Sequence, residues 1–143
     1  MQTIHGRGQV DSNLFQAIVE QAPDAVIFAD RDGAIRVWNR GAESIFGHSA
    51  ADVLGSSLDV IIPERLRNAH WEGFRKAIDT GLTKYTGRVL TTRSAHKNGN
   101  KLYVALSFSL VRDRDGVIVG ALAIGRDCTE RYLSDRGLKK SEP

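Results

Sequence analysis

Cysteine is almost absent from this sequence, because Cys128 is the only one among 143 residues. An internal disulfide and a metal or redox site built on paired cysteines are therefore excluded. Long apolar runs are also missing, since the stretch at 120–125 is far shorter than the roughly 20 residues that cross a bilayer. The opening MQTIHGRGQV has no apolar segment behind its basic residues, unlike a secretory signal. These absences predict a cytoplasmic protein with no membrane partner.

Neither sign of charge dominates the sequence. It has 20 basic and 17 acidic residues, and the basic residues form no long block. This interleaving is typical of a solvated surface, so no nucleic-acid partner is predicted. The apolar fraction of 41% and the chain length fit one globular domain with a single core.

Three short segments, at 30–33, 97–100 and 113–116, place Asp or Asn beside Gly. Such pairs favour tight turns between antiparallel strands, because Gly adopts positive φ at little cost. We therefore predict strands on both sides of each turn. The predicted strands are 25–29, 34–38, 88–94, 102–111 and 117–124.

The segment after Asp11 predicts an amphipathic helix, capped by Asp11 or the next residue and ended by Pro23. Its apolar stripe could pack on the protein's own sheet or form a dimer seam, and the residues leave both open. We predict a homodimer through this helix around Leu14 and Ile18, because the stripe is wider than a short helix usually needs.

The fifty or so residues between the second and third strands have helical character. Short helices are predicted at 40–46 and from 49, and the longest at 63–80, where Gly81 provides a stop signal. Two strands, a helical crossover and a three-stranded meander predict an α+β fold, with an antiparallel sheet covered on one face by helices. A cavity between the sheet and the helices would be the natural ligand site.

Four segments in order, VIFAD, WNRGAESIFG, HKNGNKLYV and VGALAIGRDCTER, resemble the PAS family of sensory domains. The resemblance implies a five-stranded sheet of order 2-1-5-4-3 and a structural role for Asn39, whose side chain would cap the first crossover helix. We expect a PAS domain with its N-terminal helix at 12–131, a flexible tail at 1–11, and a signalling-helix stub or tail at 132–143.

The segment DCTER resembles the PAS junction at which the last strand passes into a signalling helix. The resemblance implies that Asp127, Thr129 and Arg131 couple movement of the sheet to an effector. Asp127 and Thr129 could also simply cap a short helix, which involves the same contacts. The chain ends twelve residues after Arg131, so we expect either a missing C-terminal effector domain or a separate effector protein.

The stretch IPERLRNAH, which ends at His70, and the later Gly-Arg pair, which ends at Arg88, resemble haem-binding PAS domains of oxygen-sensor histidine kinases. The resemblance implies His70 as the ligand of the haem iron and Arg88 as a partner of bound oxygen or of a propionate. Lys76 stands where those sensors carry an arginine near a propionate. We expect Leu122 and Ile124 to keep the rest of the pocket dry.

Other functional classes have weaker support. No nucleophile elbow, P-loop or paired carboxylates are recognisable, so an enzyme is not predicted. Flavin photochemistry would need a cysteine in the crossover helices, whereas Cys128 follows the last strand. The remaining alternative is a ligand-free module for dimerisation or protein interaction. It requires that large side chains fill the space under the helices. The candidates are Phe46, Trp71, Phe74, Tyr103 and Phe108.

Overall fold

The computed structural model describes residues 4–5, 9–83, 85 and 87–137. Ile4–His5 and Gln9–Val10 form a short antiparallel pair ahead of the first helix. The expected tail at 1–11 and stub at 132–143 fall partly outside the described residues, so this division of the chain stays a prediction.

Five longer strands form one antiparallel sheet. They are β1 (Ala25–Asp30), β2 (Ile35–Trp38), β3 (Val89–Ala95), β4 (Lys101–Arg112) and β5 (Ile118–Asp127). Their order across the sheet is β2-β1-β5-β4-β3, which confirms the predicted order. The three segments with Asp or Asn beside Gly join β1 to β2, β3 to β4 and β4 to β5.

The first of these turns shows why its residues are suited to the bend. The Asp30 carboxylate accepts hydrogen bonds from the backbone N–H groups of Asp32 and Ala34, at 2.9 and 3.1 Å. Gly33 has φ of +83°, a value that L side chains rarely adopt. The hydrogen bond from Arg36 to Asp30 is the main cause that lowers the pKa of this carboxyl group. An ionised Asp30 therefore holds the turn together.

In the described part of the chain, one helix precedes β1, three lie between β2 and β3, and one follows β5. They are α1 (Ser12–Gln21), α2 (Arg40–Phe46), α3 (Ala50–Val53), α4 (Arg67–Thr80) and α5 (Thr129–Asp135), with 3-10 turns at Leu58–Ile61 and Glu64–Leu66. The helix predicted at 63–80 is thus divided into a 3-10 turn and α4. Hydrogen bonds from the Arg67 guanidinium to Ile62 O and Asp59 O hold the start of α4 to the preceding turns. Among the described residues, no helix is long and apolar enough to cross a membrane.

The two faces of the sheet differ in burial. On β1, Ala25, Ile27 and Ala29 are buried in the same core cluster as Phe46 of α2. We call this side the inner face, and the opposite side the outer face. Directly opposed residues of antiparallel strands share a face, so the register assigns Ala123, which pairs with Ile27, to the inner face as well. The core therefore lies between the inner face and the crossover helices.

Asn39 joins α1, β1 and α2 through one fully buried side chain. Its Oδ1 accepts hydrogen bonds from the backbone N–H groups of Val26, at 2.8 Å, and Ala42, at 3.0 Å. The second contact is the predicted cap of α2, which the structure confirms. The Nδ2 amide donates to the carbonyl oxygens of Val19, Ala22 and Asp24, at 2.8, 3.2 and 3.0 Å.

Candidate functional site

His70 lies near the start of α4 and is mostly buried. Its Nδ1 atom has no hydrogen-bond partner among the residues that the structure describes. The ring instead contacts Trp71 edge-on, with centroids 4.6 Å apart, and Phe74, with centroids 6.1 Å apart. Burial lowers the pKa of His70, and the charge of Asp59 opposes this shift only in part. The imidazole is therefore neutral near pH 7 and keeps a buried nitrogen without a partner.

Aromatic side chains occupy the space beneath the helices. Phe46 is fully buried, and Trp71, Phe74 and Phe108 pack against the core cluster. Tyr103 does not belong to this group, because its neighbours Leu102 and Val104 on β4 are the ones whose side chains enter the core. Of the five large side chains proposed to fill this space, one is therefore buried in the core and three pack against it while only partly buried.

Arg88 and Lys76, the two cationic side chains expected to contact a haem cofactor, lie at the surface. Arg88 is exposed just before β3, and its backbone N–H donates to Tyr85 O at 3.0 Å. Lys76 is exposed on α4. No described hydrogen bond or ion pair joins either side chain to His70, so their proposed roles rest on the resemblance alone.

The expected positions of Leu122 and Ile124 are wrong. These residues pair with Phe28 and Val26 on β1, whereas the buried Ile27 between them pairs with Ala123. Side chains alternate between the two faces of a sheet, so Leu122 and Ile124 lie on the outer face, away from α4. They cannot line a pocket that contains His70. Ala123, which lies between them in sequence, is on the inner face and packs against the core cluster.

The junction between β5 and α5 is held by Thr129, which is almost fully buried. Its Oγ1 accepts from the Tyr103 backbone N–H at 2.9 Å, and its own N–H donates to the Asp127 carboxylate at 2.8 Å. Asp127 and Thr129 thus contact each other at the end of β5, and their proposed role in signal coupling stays a prediction. Arg131 is highly exposed and contacts Asp135 at 4.0 Å within the same helix, so its side chain lies away from the junction.

Four side chains from distant parts of the chain form a stack beside this junction. The rings of Tyr103 and Tyr132 are nearly parallel, with centroids 3.9 Å apart. The Arg93 guanidinium lies 5.8 Å from the Tyr103 ring, and that of Arg136 lies 4.4 Å from the Tyr132 ring. We call this group the Arg-Tyr stack. It joins β3 and β4 to α5, and our sequence reasoning missed it. The spacing between Thr129 and Tyr132, about one helical turn, was the available signal.

The apolar stripe of α1 is only partly covered. No residue of α1 is buried, and Phe15 and Ile18 are 57% and 56% exposed. Ile124 on the outer face of the sheet is also exposed. Among the described residues, the apolar stripe of the amphipathic α1 is thus without a full partner surface.

A comparison with known protein families identifies the fold. The PAS-fold family model matches residues 13–128, which is most of the chain. The chain belongs to the PAS family. It is therefore a PAS domain of the type found in sensory and signal-transduction proteins, and the predicted recognition is confirmed.

Relatives and solved structures agree with this assignment. The PAS domain is 30% identical over 134 residues to a protein of Azorhizobium caulinodans and 28% identical over 119 residues to the oxygen sensor protein DosP of Escherichia coli. These matches cover 93% and 83% of this chain but only 18% and 14% of the relatives. The PAS domain of a Colwellia psychrerythraea protein superposes with a TM-score of 0.71 at 22% identity, covering 83% of this chain and 98% of that one.

Proposed function

We propose that this PAS sensory domain binds haem through His70 and responds to a diatomic gas. The observation that carries the proposal is the buried Nδ1 atom of His70, which has no hydrogen-bond partner among the described residues. Buried polar atoms are rarely left unpaired, and a bound ligand is one explanation for such an atom. The lowered pKa keeps the imidazole neutral, which is the form that binds iron.

The residues around His70 fit this role in part. Phe74, Phe108 and Ala123 offer apolar surface next to the imidazole and on the inner face. Arg88 is exposed and is our candidate partner for a propionate or for the gas. Haem bound by one histidine would supply an iron with an open position for a small gas. The name of the relative DosP, an oxygen sensor, agrees with this proposal.

An absorption spectrum tests the proposal directly. We expect protein purified from cells supplied with haem to show the strong haem band, and His70→Ala to lose it. His48→Ala is a matched control, because His48 also has a buried ring nitrogen without a partner among the described residues and a pKa that burial lowers, but lies beside Trp38. It should retain haem. Arg88→Ala should keep haem and weaken oxygen binding more than carbon monoxide binding, which depends less on hydrogen bonds.

Two results would refute haem binding. One is a wild-type protein that stays colourless after expression with added haem. The other is a His70→Ala variant that binds haem as well as wild type does. Adding imidazole to His70→Gly provides a further check, because an imidazole that reaches the vacated position should restore the haem band.

The second candidate is a ligand-free PAS module that acts by dimerisation. The observation in its favour is that Phe46, Trp71, Phe74 and Phe108 fill the region beneath the helices. A ligand entering there would have to displace close-packed side chains. A colourless protein that still dimerises would support this reading.

The route of the signal out of the domain follows the junction at Thr129. We propose that α5 passes a change in the sheet to an effector, either a C-terminal domain or a separate cytoplasmic protein, within a homodimer. The tethering of Thr129 to Tyr103 supports this route, because it links the start of α5 directly to the beginning of β4.

A further inference from the structure

A surface pocket of about 400 Å³ lies between the β1–β2 turn and α4. Its lining combines two guanidinium groups, a carboxylate, a hydroxyl and two aromatic rings. The lining residues are Arg31, Asp32, Ser57, Trp71, Phe74 and Arg75. We propose that this pocket binds a small aromatic monocarboxylate, with its ring against Trp71 and Phe74 and its carboxylate on the two arginines. His70 is not among the lining residues, so the proposal does not depend on haem.

The aromatic wall of the pocket is already in place without a ligand. The Trp71 Nε1 donates to the Asp59 carboxylate at 2.7 Å. The far edge of the indole lies against Gly33, where an added Cβ would clash with Trp71 Cη2. Phe74 packs edge-on to the same indole, with centroids 5.2 Å apart. Because these rings are held in position, a planar ligand would bind with little loss of side-chain freedom.

The cations of the pocket are available to an anion. Arg31 Nη1 donates to Ile118 O at 2.7 Å, which positions the guanidinium and leaves other N–H donors unused. In the part of the chain that the structure describes, neither Arg31 nor Arg75 has a carboxylate within ion-pair distance, whereas Arg36 and Arg126 do. The planar guanidinium matches the two oxygens of a carboxylate.

The net charge of the pocket lining favours a ligand with a single negative charge. Two guanidinium groups and the Asp32 carboxylate leave the lining with one net positive charge, which suits a monoanion better than a dianionic phosphate. The Ser57 Oγ accepts from the Asp59 N–H at 3.1 Å. Its hydroxyl hydrogen can therefore point to a bound carboxylate oxygen.

Nuclear magnetic resonance of the two tryptophan indole N–H groups tests the site. Trp71 lines the pocket, whereas Trp38 is buried and donates its indole N–H to His48 O at 2.9 Å. We expect benzoate to shift the Trp71 signal saturably and to leave the Trp38 signal unchanged. The Trp71→Phe variant assigns the two signals. Benzamide and cyclohexanecarboxylate should each bind at least about tenfold more weakly, since one lacks the charge and the other the aromatic ring.

Variants of the arginines complete the experiment. Arg75→Gln, at an exposed position of α4, should weaken benzoate binding by about tenfold or more, and so should Arg31→Gln. Arg114→Gln, in the exposed β4–β5 turn, removes the same charge elsewhere and should leave binding unchanged. The proposal is overturned if benzoate produces no saturable shift, if Arg75→Gln binds benzoate as wild type does, or if phosphate or benzamide binds as tightly as benzoate.

Discussion

Asn39 shows how much of this fold depends on one polar residue. Its side chain is fully buried and is hydrogen-bonded at both Oδ1 and Nδ2. The two donors that it satisfies belong to Val26 on β1 and Ala42 on α2, so it sets the position of the first crossover helix against the sheet. A buried backbone N–H that loses its acceptor costs free energy, because no water replaces it.

We therefore expect Asn39→Ala to lower the free energy of unfolding by about 3 kcal/mol. Chemical denaturation followed by circular dichroism measures this change. Asn68→Ala is the matched control, because Asn68 is exposed on α4 and its loss should change stability by less than about 0.5 kcal/mol. Equal stabilities of the two variants would show that the buried hydrogen bonds of Asn39 do not stabilise the fold.

At the scale of the element, α5 is attached to the sheet by two kinds of contact. Thr129 ties its first turn to Tyr103 through a hydrogen bond, and Tyr132 stacks on the ring of the same residue. The Arg136 guanidinium lies over the Tyr132 ring and extends the contact to the end of the helix. Because α5 has only seven residues, it is too short to be stable without these contacts.

The Arg-Tyr stack should therefore control how often α5 opens. We expect Tyr132→Leu to speed hydrogen exchange of the α5 amides by roughly tenfold, since an aromatic pair and a cation–π contact together contribute about 1–2 kcal/mol. Mass spectrometry of the exchanged protein measures this. Tyr132→Phe keeps the ring and should behave as wild type, as should Arg131→Ala, which removes only an exposed pair. Unchanged exchange in Tyr132→Leu would mean that Thr129 alone holds the helix.

At the scale of the whole molecule, the apolar residues of α1 favour a homodimer. Phe15 and Ile18 are more than half exposed. A second copy that covered them would remove apolar surface from water on both chains, and contacts between identical surfaces are typical of two-fold dimers. Dimerisation through α1 stays a prediction.

Light scattering tests it. We expect wild type to be a dimer at high micromolar concentration, and Phe15→Glu/Ile18→Glu to be a monomer with nearly unchanged thermal stability, because both positions are exposed in the single chain. Gln16→Glu/Gln21→Glu adds the same charges at exposed polar positions of the same helix and should remain a dimer. A monomeric wild type, or a control that also dissociates, would contradict this prediction.

The sequence by itself determined the turns and the strands beside them, because Asp or Asn beside Gly is a local signal, and the PAS resemblance supplied the order across the sheet. It also placed Asn39 at the start of α2, because the cap of a helix depends on residues close together in the sequence. Only the tertiary structure decided which face of the sheet the helices cover, and so excluded Leu122 and Ile124 from the region of His70. Alternation separates two sets of side chains without saying which set is covered. The Arg-Tyr stack and the pocket at Trp71 were also decided there, because their residues meet only after the strands pair and α4 packs.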